Sequence, residues 1–461
     1  MRAALHARDS VPAYRSFLKE RGWKDQPLLP AAERLGLLPE TDKASYIKRY
    51  STAERCLNGA VPSSKLEIDE SSGSSGTPFS WVRSSKELHE VHLILSEMAR
   101  YLVGKEHVVT LNAFSMGAWA TGTNVSVALK RNGIIKSTGP DPEKILSALD
   151  LLGPAHTYVV AGYPPFLREL LKFGDEHSFD WRRYRMFGFV GGEGMTERLR
   201  DLLEQRFLAV YSAYGASDLD IGVAAEFPLS VWIRKRATEN RDLARALFGD
   251  DPRLPMLFQY DPLSYYVETN GTGELVTTVN RLVMLSPRIR YNIHDSGGAR
   301  SFDEVISICR DFSLDPVPEV TAQSRKQPFR LPFLWIHGRS DSTLSYMGAN
   351  IYPEDVEQAL MEGATDDRLT GGFCLELIQG PDGESKPCVH VETGAASVGD
   401  AGLVEQLSTR VRDRLIRNSR DFKTAVAENP QTGEILVKLH ASGSGPFKDS
   451  AGRLKRRYVI K

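Results

Sequence analysis

Apolar residues at Leu88, Val91, Leu93, Ile94, Met98, Tyr101 and Leu102 fall close to helical spacing, which predicts a long amphipathic helix over residues 86–102. Downstream, short apolar runs at 108–111, 157–161 and 187–190 read as buried strands, and helical patterns such as 196–207 alternate with them. Thr196 is placed to cap that last helix. Strands alternating with helices to about residue 340 predict an α/β architecture with largely parallel sheets, although 273–279 reads as a β-rich section with glycine turns. The first seventy residues read as helices and turns, with one helix over 12–20. Beyond Gly338 the texture changes. Strand patterns at 373–378 and 387–392, a polar helix at 403–417 and a strand at 435–439 suggest a small α+β unit. The pattern thus predicts a large N-terminal α/β domain over 1–338 and a smaller C-terminal domain over 339–461.

At 461 residues the chain exceeds one ordinary core, and its 41% apolar and 25% charged residues are the balance of a globular protein. A formal net charge of -1 gives no global field toward nucleic acid or an anionic membrane, so neither is an expected partner. No apolar run approaches bilayer length, and residues 1–12 carry scattered charges rather than a secretory signal. Cys56, Cys309, Cys374 and Cys388 form no CxxC pair and no zinc-like cluster. These features lead us to expect a cytoplasmic protein with isolated thiols.

Residues 71–78, Ser-Ser-Gly-Ser-Ser-Gly-Thr-Pro, form a small-residue loop. Such runs serve as linkers, or as phosphate cradles in which backbone N–H groups and hydroxyls converge on an anion. No Gly-Lys-Ser/Thr follows, so it is not a Walker loop. Its company matters more. Tyr214-Gly215-Ala216-Ser217-Asp218 places an aromatic face, a hydroxyl and a carboxylate in one turn. A second stretch, Pro287-Arg288-Ile289-Arg290-Tyr291-Asn292-Ile293-His294-Asp295, ends on a carboxylate, and Gly338-Arg339-Ser340-Asp341 precedes Gly348-Ala349-Asn350-Ile351-Tyr352-Pro353.

These segments, in this order, resemble the adenylate-forming superfamily and in particular the phenylacetate–CoA ligase family. The 71–78 loop is similar to that family's Ser-Ser-Gly-Thr-Thr-Gly-Lys-Pro, Gly191-Gly192-Glu193 to its Gly-Gly/Ala-Glu turn, and Tyr214–Asp218 to Tyr-Gly-x-Thr-Glu. Ile289–Asp295 resembles Ile-Arg-Tyr-Arg-Thr-Gly-Asp. The Gly338–Pro353 region resembles Gly-Arg-x-Asp followed by Gly-x-Asn-x-x-Pro. Leu38-Pro39-Glu40-Thr41-Asp42-Lys43 is similar to a Leu-Pro-x-Thr-x-Lys segment near the family's start.

The resemblance implies ATP-dependent activation of an acid as its AMP anhydride, with Mg2+. Ser72, Ser74, Ser75 and Gly76 would hold the β- and γ-phosphates. Ser217 would meet the α-phosphate and Asp218 the metal, a hard cation suited to oxygen ligands. Tyr214 would stack on adenine beside Gly192, Glu193 and Gly215, and Asp295 and Arg339 would bind the ribose. The C-terminal domain would act as a mobile lid, and CoA or a carrier-protein thiol would be the acceptor. A homodimer is a candidate assembly.

Several positions depart from the family. Thr77 replaces a lysine, Asp218 a glutamate, and Ile293-His294 a Thr-Gly pair. At the C-terminus Arg453 stands where the family places its catalytic lysine, with Lys455 two residues on, so either is a candidate cation and a solvated basic tail is the plain alternative. Phe114, Trp119 and Tyr163 are candidate walls for an aromatic carboxylic acid or, alternatively, core packing. The altered C-terminus leaves two further readings: adenylation of nitrite for diazotisation of an arylamine, and a nucleotide-binding regulatory protein without turnover.

Overall fold

The computed structural model describes residues 1–71, 79–104, 107–117, 119–251, 254–339, 344–361, 368–380 and 383–448. Ser72, Ser74, Ser75, Gly76, Arg453 and Lys455 lie outside the described residues.

The expected long helix forms over Ser85–Val103. Ser84 caps it, its hydroxyl accepting from the Glu87 backbone N–H at 3.2 Å. Thr196 likewise caps Glu197–Leu203, a shorter helix than the pattern predicts because the chain turns before re-entering the sheet at Ala209.

An eleven-stranded sheet organises the larger part of the chain. One half runs Ala209–Ala216, Arg185–Gly191, Thr157–Gly162, Val108–Asn112, Gly133–Ser137, all pairs parallel. Val108–Asn112 is buried at every position, as a strand covered on both faces requires. From Ala209–Ala216 outward the pairing turns antiparallel, through Asp220–Ala225, Met256–Tyr260, Phe333–Arg339, Tyr291–Arg300, Glu274–Val279 and Tyr265–Thr269. The expected parallel arrangement therefore covers only the first half. Hydrophobic alternation alone does not separate a helix-covered parallel strand from a neighbouring antiparallel one.

Beyond residue 343 a second apolar core forms. Leu369–Gln379, Ser385–Thr393 and Leu436–Ala441 make a three-stranded sheet packed by the helices Ala401–Asn418 and Arg420–Glu428. Its core includes Leu407, Val411, Leu415 and Phe422, each fully buried. A short hairpin, Leu344–Tyr346 with Ala349–Ile351, leads into it. Among the described residues no helix is long and apolar enough to cross a membrane.

Candidate active site

Four of the parallel strands lead at their C-terminal ends into one cleft, where open α/β sheets bind ligands. Phe114 lies just past Val108–Asn112, Tyr163 directly follows Thr157–Gly162, Gly192 and Glu193 follow Arg185–Gly191, and Tyr214 stands near the end of Ala209–Ala216. These residues, with Trp119, Gly215, Ser217, Asp218, Asp295 and Arg339, line a single cavity of about 1200 Å3. The described candidates are thus gathered at one place, drawn from segments as distant in the chain as Phe114 and Arg339.

Strand register builds the most polar wall. Asp295 and Arg339 face each other as direct partners across the antiparallel pair of Tyr291–Arg300 and Phe333–Arg339. Tyr214 donates its hydroxyl to Asp295 Oδ2 at 2.5 Å, tying the parallel half of the sheet to the antiparallel half. Burial first, and the adjacent carboxylate second, push the Tyr214 phenol well above its ordinary value, so it stays protonated and donating. Its ring packs on Phe258 at 6.0 Å.

Gly215 allows the turn that follows. A Cβ there would sit 2.2 Å from the Ile221 carbonyl oxygen, so the bulge between Tyr214 and Ala216 admits only glycine. Two buried arginines then fix the next peptides. Arg83, paired with Asp69 at 2.7 Å, donates to the Ser217 carbonyl, and Arg288 Nε donates to the Asp218 carbonyl at 2.6 Å. With both carbonyls held, the Asp218 carboxylate takes a hydrogen bond from Tyr291 at 3.2 Å and lines the cleft. Among the described residues no cluster of three side chains could hold a metal by itself.

Glu193 accepts through Oε1 from the Met347 backbone N–H at 3.2 Å, while its Oε2 is sealed from solvent without a partner among the described residues. Burial raises its pKa from 4.5 to about 8, so at neutral pH it is a neutral carboxylic acid able to donate. A buried oxygen without a partner, beside an open cavity, fits a ligand hydrogen bond.

Lys43 also belongs here, although the sequence reading gave it no role. The segment before it joins the sheet through Thr41, whose N–H and carbonyl bond Arg290 and Asn292 at 2.9 and 2.8 Å. The ammonium lies over the rings of Phe79 and Trp81, at 5.5 and 5.8 Å from their centroids, and lines the cavity. Burial lowers its pKa and the nearby Asp218 partly restores it. The available signal was its place at the end of the Leu38–Lys43 motif. His294 also lines the cavity, with its Nδ1 3.4 Å from both Glu274 carboxylate oxygens.

Residues of the C-terminal part also reach the cleft, with Met347, Gly348, Leu377, Gln379 and Asp421 in its lining. Gly348, at φ +77°, lies so close to Tyr163 that a Cβ would come within 2.3 Å of its hydroxyl. Ser115 donates to Glu428 at 2.6 Å, Thr196 to Gln379 at 3.2 Å, and Arg420 pairs with Glu70 at 3.0 Å.

No family model matches the chain. A phenylacetate-coenzyme A ligase of Pseudomonas putida is 25% identical over 457 residues, covering 97% of this chain and 89% of that one. A solved structure of 2-hydroxyisobutyryl-CoA ligase, with 2-HIB-AMP and CoA in the thioesterification state, matches with a TM-score of 0.65 at 17% identity, covering 100% of this chain and 87% of that one. The same ligase with 2-HIB-AMP in the postadenylation state matches at 0.56, again at 17% identity, covering 100% of this chain and 87% of that one.

Proposed function

This chain belongs to the adenylate-forming superfamily, and from that premise we infer that it uses ATP and Mg2+ to convert a carboxylic acid into its acyl-adenylate. The observation that carries this reading is the direct pairing of Asp295 with Arg339 in the cavity that also holds Tyr214–Asp218 and Glu193. A carboxylate and a guanidinium side by side supply an acceptor and donors for the two hydroxyls of a ribose. Adenine then lies along Gly192 and Tyr214, with the α-phosphate toward Ser217.

In the reaction the acid's carboxylate oxygen attacks the α-phosphorus, the bond to the bridging oxygen breaks, and pyrophosphate leaves. Mg2+ neutralises phosphate charge and would be held by Asp218 together with phosphate oxygens. Lys43 adds a second positive charge on that side of the cleft. Its role does not depend on Arg453 or Lys455, which remain our candidates for the family's C-terminal lysine. Phe114, Trp119 and Tyr163 form the wall against which an aromatic acid packs.

We further propose that residues 1–338 and 339–461 act as two domains. The separate C-terminal core supports this. The greater likeness to the thioesterification structure supports an arrangement suited to the second half-reaction, with CoA or a carrier thiol as acceptor. The test is ATP–pyrophosphate exchange across a panel of acids. Acid-dependent exchange is expected; tight nucleotide binding without exchange for any acid overturns the enzymatic reading.

A further inference from the structure

At about 1200 Å3 the cavity exceeds the roughly 300–1,000 Å3 usual for a small-molecule site. Besides Phe114 and Trp119, the helices Ser85–Val103 and Ala120–Leu129 both contribute to its lining. The first helix lines it with Leu95, Met98, Ala99 and Leu102, spaced along one face, and the second with Val125, Ala128 and Leu129 among others. None of the described residues that these two helices contribute to the lining is charged. The charges on Ser85–Val103, including Glu90, Glu97 and Arg100, fall on other faces.

Leu95, Met98, Leu102 and Val125 are only half-buried although they face inward, so apolar surface remains uncovered within the protein. The helices are held at their spacing by polar ties. His92 pairs with Asn124 at 2.7 Å, and Ser96 donates to Asn132 at 2.6 Å. Collapse onto the space is thereby resisted. Glu226 and Arg234, which also touch the cavity, are satisfied internally: Glu226 by Arg200 and the Ser212 N–H, Arg234 by Glu197 and backbone carbonyls. An apolar space of this kind stays dry and takes apolar ligands.

We propose that this lobe receives the tail of the acid, so that the substrate is a carboxylic acid bearing an extended alkyl or arylalkyl chain. The inference rests on the acyl-adenylate reading above. Leu95 and Leu102 are about 10 Å apart along the helix, which accommodates a tail of roughly eight carbons.

The experiment is ATP–pyrophosphate exchange with straight-chain acids from butanoate to tetradecanoate and phenyl-substituted acids from phenylacetate to phenyloctanoate. The expected kcat/KM rises about fourfold per methylene until the lobe is filled, and the two series show whether the end of the tail is alkyl or aryl. Ala128→Phe shortens the optimum chain. Met98→Phe, at a half-buried position and gentler on folding, shortens it less. Isothermal titration with dodecanoate in the absence of ATP reads the lobe independently of catalysis. A rate that peaks at phenylacetate or butanoate overturns the proposal, as does failure of dodecanoate to bind. Saturable dodecanoate binding that Met98→Phe weakens, without exchange for any acid, leaves the lobe standing and sinks the adenylation reading instead.

Discussion

Two walls of the same cleft are built by different means. The sugar wall, with Asp295, Arg339 and Tyr214, stands on hydrogen-bonded strands, where register sets each side chain opposite one partner. The wall between the helices Ser85–Val103 and Ala120–Leu129 is a pair of apolar faces whose spacing sets a volume and no particular atom. A one-residue slip in the strands would turn Asp295 to the other side of the sheet. A methylene more or less on a helix face only changes what fits. The first wall therefore specifies a shared chemical group, and the second is where substrate choice can vary.

The sharpest way to break this comparison is Asp295→Ala. It removes the partner of Tyr214 and the acceptor facing Arg339, and a loss of about a hundredfold or more in kcat/KM for ATP is expected, from charge-assisted hydrogen bonds of about 1.5–3 kcal/mol each. Exchange at varied ATP measures it, and a loss under fivefold would detach that carboxylate from the nucleotide. Next in size is Gly215→Ala, whose Cβ meets backbone rather than a movable side chain. It should lower stability by about 1–3 kcal/mol, read from urea midpoints, whereas Ala128→Leu on the helix wall should cost less.

Lys43→Ala should lower kcat by about tenfold or more with little change in melting temperature, since one charged donor to a developing anion is removed. Lys43→Arg should restore part of it; an unchanged kcat in Lys43→Ala would make the residue structural. The smallest effect concerns Glu193. Its folded pKa lies above the open-chain value, so its stabilising contribution is present below 4.5 and is lost as pH rises through about 8. Nucleotide affinity should weaken a few-fold between pH 7 and 9. The neighbouring Tyr163 and Tyr346 hydroxyls, both raised by burial, do not titrate in that window. Glu193→Gln should flatten the profile, and a profile that persists in that variant assigns it to another group.

The elements of each wall were legible to different degrees. Helix spacing from Leu88 to Leu102 announced Ser85–Val103 almost to its ends, and the strand runs at 108, 157 and 187 proved to be the parallel half of the sheet. Local periodicity is a property of neighbouring residues, so the chain displays it directly. Motif order likewise marked Tyr214, Asp218, Asp295 and Arg339 as members of one site. The antiparallel half was not legible, because partner and direction depend on residues far away in the chain. Lys43 was visible only as the end of a motif, and the pinning of the Ser217 and Asp218 carbonyls by Arg83 and Arg288 not at all.

The amino-acid order by itself determined which helices and strands form, which residues carry charge into the cleft, and the kinship of the motifs that hold them, since each follows from side-chain chemistry at short range. Only the tertiary structure decided that Asp295 faces Arg339, that one oxygen of Glu193 is sealed in a protonated acid, and that an apolar lobe opens against two helices. Those depend on strand register, desolvation and unfilled volume, which exist only once distant segments pack against one another.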